Sequence, residues 1–170
     1  MRILGIDPGY AIVGYGVIEY DNVRFRVINY GAITTSPGTP FDKRLLEIYK
    51  DMTSLLEQFE PDCVSVEKLY FNTNITTGID VAQARGVIIL SAAEHGIPIY
   101  EYTPLQVKVA VTGYGRADKH QMQEMTRNIL RLPSIPKPDD TADALAIAIC
   151  HAHTGGSKLS EIIRDNKEKK

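Results

Sequence analysis

The chain has 170 residues, 44% of them hydrophobic and 24% charged, enough apolar material for one disulfide-free domain core and too much for a disordered chain. A formal net charge of -2 and a pI of about 6.1 exclude a wholly basic nucleic-acid-binding surface. Two cysteines, Cys63 and Cys150, exclude a disulfide framework and fit a reducing, cytoplasmic setting; MRILGID lacks the apolar core of a signal peptide, and no apolar run approaches the ~18 residues of a membrane span.

The first apolar run, Arg2–Asp7, is stopped by Pro8-Gly9, so it reads as a strand that ends on a carboxylate. Residues 14–20 and 23–33 are β-rich, and Asp21-Asn22 between them suits a tight hairpin. Beyond the loop TTSPGTP, Phe41, Leu45, Ile48, Met52, Leu55 and Phe59 recur at helical spacing and predict a helix over 40–59. Pro61-Asp62 breaks it, and Cys63–Glu67 reads as a short buried strand, again ending on a carboxylate. A polar-aromatic loop over 69–77, a helix over 78–95 and a strand over 97–102 follow. Thr103-Pro104 supplies a cap and a first-position proline for a third helix. GYGRA at 113–117 is loop, and Asp118 with Gln121 forms a capping box for a helix to about Arg131. After a proline-broken connector at 132–139, the run 141–153 is apolar nearly all round and is expected as a buried helix. Gly155-Gly156 ends it; the domain is expected over 1–156, with 157–170 as a tail that is a short helix or frayed. An antiparallel hairpin followed by strand–helix alternation implies an α/β fold, a mixed sheet with helices on both faces.

Where the first and fourth strands are parallel neighbours, Asp7 and Glu67 emerge together at the carboxyl edge, the place where open α/β sheets bind ligands. Asp140 and Asp143 are three apart at the start of the last helix and share a face. Asp140 has a structural explanation as a cap that suits the helix dipole. Asp143 has none: it interrupts an apolar stretch, where a carboxylate is costly unless paired or bound to metal. Clustered acidic oxygens without nearby histidine or cysteine describe a hard-cation site, for which Mg²⁺ is the natural occupant. Two such ions can activate a water and stabilise the leaving oxygen of a phosphodiester. Within 104–137, Lys108, Arg116, Lys119, Arg127, Arg131 and Lys137 face only Asp118 and Glu124, either as a phosphate footprint or as solvated helix faces.

Five blocks, ILGIDPGYAIVGYGV (3–17), VSVEKLYF (64–71), VAQARGVIILSA (81–92), TPLQVKVAVTGYGRADKHQMQ (103–123) and DDTADALAIAICHAH (139–153), occur in an order and conjunction that resembles the RuvC family of bacterial Holliday-junction resolvases. The resemblance implies a ribonuclease H-like fold on a five-stranded mixed sheet. It implies a crossover junction endodeoxyribonuclease that resolves four-way junctions by paired symmetric nicks, leaving 5'-phosphate and 3'-hydroxyl ends, in recombination and repair. Its acidic positions carry over onto Asp7, Glu67, Asp140 and Asp143 as catalytic metal ligands for Mg²⁺, two per site, with Mn²⁺ as substitute. Lys108 and Lys119 match its DNA-contacting basic positions and are assigned to catalysis as well; Arg116 joins them on DNA. Tyr70, with Phe71 beside it, best matches an aromatic that stacks on or wedges between bases, an interaction worth about 1–3 kcal/mol per base. A branch-migration motor complex, RuvA–RuvB, is the implied partner.

Read without the resemblance, Lys108 and Lys119 are exposed helix lysines, and Tyr70 and Phe71 belong to a loop packed back on the core. Asn72, Thr73, Asn74 and Thr76 are polar enough to touch bases or phosphates. Cys150, His151 and His153 do not make a zinc site, because an i,i+2 pair diverges on a helix and no second pair exists; the histidines are expected to sit favourably at a helix C-terminus. Gly86 with Ala82, Ile89, Leu90 and Ala93 offers a flat helix face, packed either on the chain's own sheet or on a second copy; paired cuts in a two-fold substrate favour a homodimer. Two other classes compete. GIDPG also suits an actin-like or sugar-kinase phosphate loop, but that requires a second nucleotide-binding half. A non-catalytic junction binder would have no use for four carboxylates.

Overall fold

The computed structural model describes residues 1–69 and 75–155, with only the backbone of 75–77. In chain order it contains β1 (Arg2–Asp7), β2 (Ile12–Tyr20), β3 (Phe25–Thr34), α1 (Phe41–Phe59), β4 (Cys63–Glu67), α2 (Ile75–Glu94), β5 (Ile99–Tyr102), α3 (Pro104–Thr112), α4 (Lys119–Ile129) and α5 (Asp139–Gly155). The strands form one five-stranded sheet in the order β3-β2-β1-β4-β5. β1, β2 and β3 pair antiparallel, and β1–β4 and β4–β5 pair parallel, so the expected mixed sheet is the observed one. Ile6 pairs with Val66, which brings Asp7 and Glu67 off the sheet side by side.

Side chains alternate across the strands. Leu4, Ile6, Val64 and Val66 face α1 and α2, where they meet Ile48, Met52, Leu56, Ala84, Ile88 and Ala92. Ile3 and Cys63 face α3, α4 and α5, with Val107, Val111, Met122, Leu145 and Ile149. By the same alternation Asp7 and Glu67 point to the second layer. α5 lies flush on β1 and β2 because glycines leave room for it. A Cβ on Gly5 would meet the Ala144 carbonyl oxygen at 2.2 Å, and one on Gly14 would meet the Asp140 carbonyl oxygen at 2.0 Å.

The hairpin forms as expected: Asp21 Oδ1 accepts from the backbone N–H of Val23 (2.9 Å) and Arg24 (2.6 Å), and Asn22 takes a left-handed φ of 74°. Several boundaries differ from the sequence reading, three of them at elements that shape the carboxyl edge or its helices. α2 begins at Ile75, before Gly78, because weak helix formers do not stop a helix whose later turns are packed. α4 ends at Ile129, where Arg131 turns left-handed (φ 54°) and Leu132 N–H bonds back to the Arg127 carbonyl at 2.9 Å. α5 begins at Asp139, so Asp140 is a first-turn residue and not the cap. The expected tail at 157–170 lies outside the described residues.

Candidate active site

A cavity of about 220 Å³ opens at the carboxyl edge, lined by Asp7, Glu67, Asp143, Lys108 and Lys119 over an apolar floor that includes Val107, Met122 and Ile147. Local devices place Asp7, Lys108 and Lys119. The turn after Asp7 is pinned by Arg44 of α1, which donates to Thr35 Oγ1 (2.8 Å) and the Tyr10 carbonyl (3.3 Å), with its guanidinium 4.6 Å over the Tyr10 ring. Capping boxes at Thr103/Gln106 and Asp118/Gln121 fix the starts of α3 and α4 and so aim Lys108 and Lys119. Lys119 Nζ stands 3.4 Å from Asp143 Oδ2 and 3.3 Å from Asp139 Oδ2.

Burial, then the neighbouring Asp143, Glu67 and Asp140, push the Asp7 carboxyl up to about 8, against the opposing pull of Lys119. Burial and then Asp143 raise Glu67. Burial, with Asp140 and Asp139 adding to it, raises Asp143 despite the opposing pull of Lys119. Desolvation works against the Lys119 charge, but Asp143 and Asp139 outweigh it and hold the ammonium above its ordinary value. Asp139, hydrogen-bonded by Lys137 (2.6 Å) and paired with Lys119, is held at about 2.

Asp7, Glu67, Asp143, Lys108 and Lys119 thus converge on one cavity. Asp140 is packed by its backbone on Gly14 and acts on the site through its charge, without lining the cavity. Arg116 is exposed in the turn between α3 and α4, outside the cavity. Tyr70, Phe71, Asn72, Thr73 and Asn74 lie outside the described residues, as does the side chain of Thr76. His151 corrects its expectation: it is 2% exposed, hydrogen-bonded to Tyr102 Oη at 2.7 Å and lowered by burial to about 4, so it is a neutral core group and not a helix-end cation. Asp139, paired with Lys119, is not among the site residues expected from the sequence.

Among the described residues, no three His, Cys, Asp or Glu side chains are already gathered around one point as metal ligands. The donor chemistry nonetheless fits a hard divalent cation: only carboxylate oxygens are present, and burial together with their mutual repulsion disfavours a charge on Asp7 that a bound cation would offset.

The family model for crossover junction endodeoxyribonuclease RuvC matches residues 3–151. The protein of that name from Brevibacillus brevis is 60% identical over 152 residues, spanning 89% of this chain and 92% of the relative. The structure of Thermus thermophilus RuvC in complex with Holliday junction substrate superposes with a TM-score of 0.87 at 36% identity, covering 91% of this chain and 94% of that one. The yeast mitochondrial Holliday junction resolvase Ydc2, 15% identical, shares the fold at a TM-score of 0.68 over 99% of this chain and 83% of that one.

Proposed function

The chain belongs to the RuvC family, and from that membership we propose that it is a metal-dependent crossover junction endodeoxyribonuclease that resolves four-way DNA junctions in recombination and repair. Beyond that membership, one observation of the structure supports the reading: Asp7, Glu67 and Asp143 share a cavity with Lys108 and Lys119 at the carboxyl edge of the sheet. With Asp140 beside them, these carboxylates would hold Mg²⁺, two ions per site, or Mn²⁺. When bound, the ions supply an activated water and charge stabilisation at the leaving oxygen of an in-line displacement, giving 5'-phosphate and 3'-hydroxyl ends.

The remaining work falls to the chain itself. Lys119 offsets carboxylate charge that would otherwise repel a phosphodiester and stands as a point charge for the developing phosphate charge. Lys108, across the same cavity, holds the adjacent phosphate. Arg116 contacts DNA from the neighbouring turn, and Tyr70 and Phe71 supply base stacking. Paired nicks on a two-fold substrate call for a homodimer. Its seam runs along α2, where Gly86 has nothing within 4 Å of a Cβ position and Ile79 (50%) and Leu90 (61%) are exposed, so this face does not pack on the chain's own sheet. The cytoplasm is the setting, a RuvA–RuvB motor the partner. No described helix is long and apolar enough to cross a membrane.

The test is Asp143→Asn. Cleavage of a preformed junction complex should fall by roughly 10²-fold or more while junction affinity stays within about threefold. A rate within about tenfold of wild type would remove Asp143 from the chemistry.

A further inference from the structure

Arg85 belongs to α2, on the face of the sheet opposite the cavity. Its neighbours Ala84 and Ile88 are buried against the strands, and a guanidinium beside them must find polar partners. It finds them by curling over the carboxyl edge. Its Nε donates to the backbone carbonyl of Glu67 at 3.1 Å, and its Nη2 forms an ion pair with Glu101 of β5. The Arg85 side chain is only 15% exposed. In register, Val66 lies opposite Glu101, and Glu67 opposite Tyr102. The next N–H, that of Lys68, donates to the Tyr102 carbonyl at 2.8 Å. The peptide joining Glu67 to Lys68 is therefore held at both ends, its oxygen by Arg85 and its N–H by Tyr102.

We infer that Arg85 is a positioning residue for the cleavage reaction: by fixing the Glu67–Lys68 peptide from behind the sheet, it sets the direction in which the Glu67 carboxylate enters the cavity. The inference rests on the reading of Glu67 as a catalytic carboxylate. The strand ends at Glu67, so this peptide is the last one the sheet can hold. A tilt there is carried to the carboxylate, and a displacement of about 1 Å at reacting groups can cost about 10²-fold in rate. The residue type matters. A guanidinium fork reaches a carbonyl and a carboxylate at once, whereas a lysine ammonium at the same place is a single point donor. The Glu101 pair orients the fork and itself stays outside the cavity.

The experiment is single-turnover cleavage of a synthetic four-way junction at saturating protein with Mg²⁺, alongside junction affinity in Ca²⁺ and thermal unfolding. The proteins compared are wild type, Arg85→Gln, Arg85→Lys, Glu101→Gln and Glu67→Gln. Arg85→Gln is expected to cleave about 10–100-fold more slowly with affinity within about threefold, Arg85→Lys to fall between it and wild type, and Glu101→Gln, which keeps an oxygen acceptor, to stay within about threefold. A folded Arg85→Gln protein that cleaves within about twofold of wild type overturns the inference, as does a loss that appears in affinity alone. Should Arg85→Gln not fold, Arg85→Lys decides: slower saturated cleavage at unchanged affinity supports the role, and a wild-type rate overturns it. Normal cleavage by Glu67→Gln would instead withdraw the catalytic reading of Glu67, and the inference with it.

Discussion

Asp7 shows at the scale of one residue what the site costs the fold. Burial and the neighbouring carboxylates oppose its charge, so a metal-free protein should be more stable without it. Asp7→Asn is expected to raise the unfolding midpoint in EDTA by a few degrees, at about 2–4 °C per kcal/mol for a chain of this size, while cleavage falls by at least about 10²-fold. A midpoint unchanged or lowered in EDTA would contradict the electrostatic account. Lys119 and Arg116 separate chemistry from affinity. Lys119, inside the cavity, should lose about 10²-fold in saturated cleavage as Lys119→Met. Arg116, exposed in its turn, should as Arg116→Met weaken junction binding and flatten the log–log salt dependence by about one unit at an unchanged saturated rate. Single-turnover rates and affinities across several salt concentrations check both. Asp143 was legible in the sequence because a carboxylate inside an apolar run needs a reason. Asp139 was not, because an acid at a helix start already has one in the dipole, and its pairing with Lys119 depends on how α4 meets α5.

At the scale of elements, the site depends on α5 lying flat against β1 and β2. Gly14→Ala would drive a Cβ into the Asp140 carbonyl, 2.0 Å away, and lift the start of α5, which carries Asp140 and Asp143. The expected result is a loss of about 1–3 kcal/mol in stability, with cleavage reduced more than junction binding; urea unfolding and single-turnover rates measure the two. The far end of α5 gives a pH dependence. His151 is neutral in the fold, held by burial at about 4 against an ordinary value of 6.5. Above 6.5 neither state takes a proton there. Between 6.5 and 4 only the unfolded chain does, so stability falls as pH falls, by up to about 3 kcal/mol at about 1.4 kcal/mol per unit. His151→Asn should remove that part of the slope in unfolding free energy between pH 7 and 4; equal slopes would contradict the burial argument. Element identities were legible through local chemistry: the two capping boxes and the hairpin turn act over three or four residues. The starts of α2 and α5 were not, because packing of later turns overrides weak propensities at an end.

For the whole molecule, the sequence carried the fold through the joint order of its blocks, since no local signal makes β1 and β4 parallel neighbours. The packing of α2 was open in the sequence and is settled in part by the structure: Ala84, Ile88 and Ala92 take the sheet side, which leaves Gly86 and Leu90 on the outer one. A seam there predicts that Leu90→Asp and Gly86→Leu shift the protein toward monomer in sedimentation velocity without DNA. An unchanged dimer in both variants would move the seam elsewhere. The central claim, that this carboxylate cavity serves a metal-dependent, junction-selective nuclease, is tested most directly on a synthetic four-way junction and a linear duplex of the same sequence, each with Mg²⁺ and with EDTA. The account predicts paired nicks in opposing strands of the junction, only with Mg²⁺, and an intact duplex. Junction cleavage in EDTA, or duplex cleavage at a comparable rate, would contradict it.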